Sequence, residues 1–169
     1  MKLYRYSPVE DRDTLFQALL HIHRECSKLC YASLGEYVPV AGNIGFFCHY
    51  DDEYRVLTEL RERLTDASDN INQKYFRLHE PIRFSAEGNI PEAIYTYLYI
   101  RKPDIYRAQV GDVDFVMEQE RYQDLKGRLQ NDDSIPGARV FPRADLDMIE
   151  LYDPDVDVLG YVRVRDVGE

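Results

Sequence analysis

Tryptophan is absent from the 169 residues, cysteine occurs only three times, and no apolar run approaches the roughly 18 residues that a membrane span requires. Three cysteines, Cys26, Cys30 and Cys48, are too few and odd in number for a disulfide framework, which points to a reducing compartment. The opening MKLYRYSPVEDRD lacks the apolar core of a secretory signal, so the expected location is the cytoplasm. A glycine-rich phosphate loop, a nucleophile elbow and a paired Cys-x-x-Cys motif are also missing, which argues against nucleotide hydrolysis, acyl transfer and structural zinc. Basic residues are scarce as well. Against 31 acidic residues there are 21 basic ones, a net charge of −10, so the summed field repels nucleic-acid phosphate and anionic lipid.

Hydrophobic residues make up 44% of the chain and charged residues 31%, which is ordinary globular usage and long enough to bury a core without cross-links. The expected organisation is a single domain over residues 1–169. It comprises an N-terminal helical segment at 1–41, a first module at 42–104 and a second at 105–169.

Ser7-Pro8-Val9-Glu10 has the form of a capping box and predicts a helix start. Leu15, Ala18, Leu19, Ile22, Cys26, Leu29 and Cys30 then recur at three- and four-residue spacings, giving one apolar stripe until Gly35. Residues 43–50, NIGFFCHY, read as a buried strand, and Asp51 and Asp52 favour a second helix by capping and by complementing its dipole. Val56, Leu57, Leu60 and Leu64 supply its buried side. A strand over 75–84 follows a polar loop, and Pro81 within it predicts an edge position. Between Ala93 and Arg101 the alternation predicts a strand with Ile94, Thr96, Leu98 and Ile100 on one face. Tyr95, Tyr97, Tyr99 and Arg101 then share the other. Further strands are expected at 111–117, 138–141, 146–152 and 158–164, with a helix over 118–130, a loop at 131–137 and a turn at Asp153-Pro154-Asp155.

The two halves echo each other. GNIGFF at 42–47 matches GDVDFV at 111–116, LRERL at 60–64 resembles LKGRL at 125–129, and IRKPD at 100–104 resembles LYDPD at 151–155. The fold class expected is therefore α+β, a mixed or antiparallel sheet built from two strand-helix-strand-strand modules, plus an N-terminal helix.

On the strand opening Gly111-Asp112-Val113-Asp114-Phe115 and the closing Asp153-Pro154-Asp155-Val156-Asp157-Val158-Leu159, the chain resembles the glyoxalase and bleomycin-resistance, or vicinal oxygen chelate, superfamily. The resemblance spans at most 42–164. It implies paired modules around a shared hollow. Metal-dependent members carry a His or similar ligand just after the opening glycine and a Glu just after the final Val-Leu. This chain has Asp112 and Gly160 there, with Asn43 and Gln109 at the corresponding places of the first module. Zinc prefers His or Cys, and hard cations want several carboxylate oxygens, so the resemblance implies that metal chelation is lost and no cofactor is needed.

Among single residues, His21, His23, Cys26 and Cys30 invite a metal reading, but residues two apart on a helix diverge and the cysteines lie in the apolar stripe, so buried structural roles are expected. His49 sits at a strand end, where a polar surface or satisfied role is the usual one. Tyr95, Tyr97 and Tyr99 offer rings for stacking on a planar or cationic ligand, with Arg101 at the end of the ladder. The other reading places those rings in a doubly covered core. Asp112 and Asp114 form an acid pair for a cation or ammonium group, or a solubilising one. Glu150, if desolvated, would exchange protons near neutral pH; the other reading has Ile149 and Leu151 facing the core and Glu150 facing water.

Three functions follow. The leading one is metal-independent binding of a small organic or cationic ligand in an acidic, aromatic-lined cleft. The second is a lyase or isomerase with Glu150 as general base. The third is an acidic interaction or inhibitor module for a basic protein. A homodimer would cover an exposed tyrosine face.

Overall fold

Helix α1 (Arg12–Leu34) begins where the Asp11 carboxylate accepts a hydrogen bond from the Thr14 amide at 2.7 Å. It ends at Gly35, whose φ of +76° suits glycine and lets its N–H reach the Tyr31 carbonyl at 2.8 Å. The start predicted at Ser7 is thereby corrected, because the Ser7 side chain is engaged elsewhere. Its hydroxyl donates to Glu53 Oε1 at 3.1 Å. The expected stripe is buried along its length.

The described residues, 4–131 and 134–167 of a computed structural model, build one mixed sheet of seven strands and three helices, an α+β architecture. Strand β1 (Val40–Phe47) leads through α2 (Asp51–Leu64) to β2 (Tyr75–Phe84) and β3 (Ala93–Arg101). Strand β4 (Gly111–Met117) leads through α3 (Gln119–Gln130) to β5 (Ala138–Val140), β6 (Ile149–Leu151) and β7 (Val158–Val164). The order across the sheet is β2-β3-β1-β4-β7-β6-β5. In each half the helical crossover returns a strand parallel to the first, β3 beside β1 and β7 beside β4. The halves meet at an antiparallel seam between β1 and β4. Pro81 lies in β2, at the edge of the sheet, where no neighbour needs its missing N–H. Part of the loop expected at 131–137 lies outside the described residues.

Helix α2 carries Asp51, Asp52 and Glu53 in its first turn and Arg61 and Arg63 in its last, opposing its dipole at both ends. Its cap position is Tyr50 and makes no side-chain cap bond, so the aspartates act by charge alone. Glu53 is buried and ties down the segment before α1. Its Oε2 accepts from Val9 N–H at 2.6 Å and its Oε1 from His49 N–H at 2.7 Å.

All three helices cover the same side of the sheet. Leu15, Leu19 and Ile22 of α1, Leu57 of α2 and Tyr122 and Leu125 of α3 join Ile44, Phe46, Leu98, Val113, Phe115, Ile149 and Val162 in one apolar cluster. Burying each large aliphatic chain there is worth about 1.5–3 kcal/mol. A small separate cluster, Phe47, Leu159 and Tyr161 with Phe141, Met148 and Tyr152 around it, marks the opposite, helix-free face.

The tyrosine ladder departs from simple alternation. Tyr95 and Leu98 are both buried in the helix-side cluster, so β3 changes phase between them. The neighbours are irregular at the same level, β1 between Val40 and Ile44, where Gly42 takes a φ of +100°, and β2 between Arg77 and Ile82. The slip places Tyr95 under α1 and Ile94 at the surface, the reverse of the expected assignment.

Candidate functional site

Strand register brings the chemistry-bearing side chains into two rows across the helix-free face. Directly paired residues share a face, so Tyr75, Tyr99, Gly45, Asp112 and Leu159 form one row. Tyr97 and Asn43 begin the other, which continues through Asp114, Tyr161, Glu150 and Arg139. The second row crosses the seam between the halves at Asn43, whose Nδ2 donates to Asp114 Oδ2 at 2.7 Å.

Gly45 makes the first row possible. A Cβ at that position would stand 2.2 Å from Asp112 Oδ1, so the missing side chain is where the Asp112 carboxyl lies. To one side the Tyr75 and Tyr99 rings tilt against each other with centroids 5.3 Å apart. Phe47 carries the Arg101 guanidinium over its ring, 3.6 Å from the centroid. At the far end Arg139 pairs with Glu150 Oε1, its Nε donating at 2.9 Å, and its guanidinium lies 4.3 Å over Tyr152.

The acids of this face are buried. Asp112 and Asp114 are each 8% exposed and Glu150 is 1% exposed. Burial pushes the Asp112 carboxyl well above the usual carboxylate range, the neighbouring Asp114 adds to it, and Arg101 and Arg107 only partly offset both. Asp114 is raised by burial too, against the opposing Asn43 hydrogen bond and Arg163. Burial likewise pushes up the hydroxyls of Tyr75, Tyr99 and Tyr161, which stay protonated donors at neutral pH.

Some of these polar atoms have no protein partner among the described residues. Arg101 Nε and Nη2 and Glu150 Oε2 are buried and make no hydrogen bond, and Gln109 Oε1 is in the same state. An unsatisfied buried polar group costs about 1–3 kcal/mol.

Of the residues singled out from sequence, the fold gathers Tyr99, Arg101, Asp112, Asp114 and Glu150 on one face, with Tyr97 at its rim, 41% exposed. Tyr95 does not belong with them. Its hydroxyl meets His23 Nδ1 at 2.8 Å beneath α1, which corrects its placement on the ligand side. Ile149 and Leu151 do face the core, but Glu150 opposite them is buried rather than in water. Tyr75, Asn43, Phe47, Tyr161 and Arg139 join the face without having been singled out. Tyr161 was within reach, since the phase of its strand puts it with Leu159 and away from Val158 and Val162.

The histidines and cysteines do not converge. Cys26 Sγ donates to the Leu159 carbonyl at 3.2 Å, and burial raises the Cys30 thiol to about 11. His21 Nε2 lies 2.8 Å from Asp157, and His49 Nδ1 lies 2.9 Å from Ser7 Oγ. Among the described residues no group of three or more His, Cys, Asp or Glu side chains is placed to hold a metal ion, and no helix is long and apolar enough to cross a membrane. Several cavities lie away from the rows. One of about 500 Å³ is bordered by Pro8, Tyr50 and Arg55, and one of about 370 Å³ by Arg12, Phe16 and Arg83.

Neither a family model nor a curated protein matches the sequence. A solved structure titled as a structural genomics protein, EC4020, superposes with a TM-score of 0.57 over 97% of this chain and 94% of that one, at 14% identity. At that identity the likeness is one of fold.

Proposed function

We propose that the helix-free face binds a small organic cation, an amine, without a metal. Asp112 and Asp114 receive the ammonium group, while Tyr75, Tyr97 and Tyr99 wall it in. The observation that carries this reading is the Asp112 carboxyl, buried over Gly45 beside a second acid, with no hydrogen bond to it among the described residues. A buried acid pair is costly, and a cation that donates hydrogen bonds relieves both the repulsion and the lost solvation. The depth of the acids argues against an interaction module for a basic protein, whose lysines and arginines need carboxylates displayed at the surface.

Titration calorimetry with butylamine, tyramine and spermidine, in the presence of a chelator, tests it. At least one should bind, and Asp112→Asn should weaken that binding by about tenfold or more. No heat with any of the amines would refute the reading.

Glu150 supports a second reading, as a general base, through its buried and unpartnered Oε2 beside Tyr161. Arg139 Nε donates to the other oxygen at 2.9 Å. An enzyme of this kind would lose turnover in Glu150→Gln and still bind its substrate.

A further inference from the structure

We infer that the ligand of this face is a zwitterion, with an ammonium group seated on the Asp112 and Asp114 pair and a carboxylate seated on Arg101. The inference rests on the amine-binding reading and names the other half of the molecule.

Arg101 is the reason. Its guanidinium carbon lies 3.6 Å from the centroid of the Phe47 ring, and Nε and Nη2 are buried with no acceptor among the described residues. Asp104 and Asp112 act on it electrostatically, but neither forms an ion pair with it among the described residues. Nε and Nη2 are the two donors that a guanidinium presents side by side to a carboxylate, so the free edge has the shape of a bidentate anion seat.

Its position relative to the acids completes the argument. Arg101 pairs with Phe47, and Asp112 pairs with Gly45, two residues earlier on the same strand and on the same face. With β1 alone between β3 and β4, the two backbones stand about 10 Å apart, and both side chains reach inward over β1. The anion seat and the acid pair are therefore neighbours with a glycine floor between them. A plain cation on the acids would face Arg101 and also Arg107, which is close enough to act on Asp112, at an electrostatic cost. A short molecule with charges of both signs meets each residue with its complement. Gln109 Oε1, also unpartnered, adds a neutral acceptor in the segment that carries Arg107.

Titration calorimetry on the intact chain with the series from glycine to 6-aminohexanoate, beside the amine and the carboxylic acid of each length, separates the possibilities. One chain length should bind about tenfold tighter or better than its matched amine. Arg101→Gln should erase that difference, Arg101→Lys should keep part of it, and Asp112→Asn should weaken amine and zwitterion alike. An amine that binds as well as every amino acid of the series would overturn the inference and leave the amine-binding reading standing. A gain that survives Arg101→Gln would overturn it too. Silence from all three series would end both.

Discussion

Asp112 occupies the room of a side chain on the neighbouring strand. Its Oδ1 lies 2.2 Å from where a Cβ on Gly45 would stand, so these two residues define the site jointly. Gly45→Ala should therefore push the carboxyl aside and weaken amine binding by about tenfold. Gly111→Ala is the contrasting change, because its Cβ would stand 2.0 Å from the Gly45 carbonyl oxygen, and backbone cannot yield as a side chain can. It should open the seam between the halves and cost about 3 kcal/mol or more in urea unfolding.

Asp112 should make the protein less stable as pH rises. Its folded value is raised, so between the unfolded value near 3.8 and that raised value the native state keeps a proton the unfolded chain releases. The associated stability is full below the unfolded value and lost as pH climbs through the folded one. Asp112→Asn should leave melting near pH 4 little changed and raise the melting temperature at pH 7 to 8. A variant less stable than the parent at neutral pH would contradict this.

His23 acts in the opposite direction. Burial, helped by Arg24, lowers it from 6.5 to about 4, so it is neutral against Tyr95 at pH 7. As pH falls from 6.5 to about 4 the unfolded chain takes up a proton that the native state refuses, and stability drops by on the order of 3 kcal/mol. Denaturant curves for His23→Gln should be flatter over that window.

Glu53 should prove to be the clasp of the segment before α1. Glu53→Ala leaves the Ser7 hydroxyl and the Val9 and His49 amides without their acceptor, at about 1–3 kcal/mol for each donor that stays buried. Hydrogen exchange should then quicken over residues 4–10 ahead of the sheet.

How much of this was written in the residue order differs by element. Strands β2, β3, β4 and β7 fall where alternation and turn residues put them, and the stripe of α1 was plain at its period. What local pattern could not carry was the phase slip in β3, which depends on irregularities in β1 and β2, strands far off in sequence. Tyr95 was misplaced for that reason. The start of α1 was misread because Ser7 satisfies the capping pattern locally yet bonds to Glu53, a long-range competitor that Asp11 then replaces as cap. Asp112, Asp114, Tyr99 and Arg101 were legible as polar residues on strands. Their meeting over Gly45 was not, since it needs the register of β1 against both β3 and β4.

Helix α1 touches β1, β4, β6 and β7, strands drawn from both halves. It leaves the ribosome before any of these strands, but its oily stripe has no complete berth until β7 has emerged. For most of synthesis that stripe stands bare, a natural landing place for chaperones. Chains arrested before β7 should be held by them or aggregate, whereas chains arrested just after it should be released.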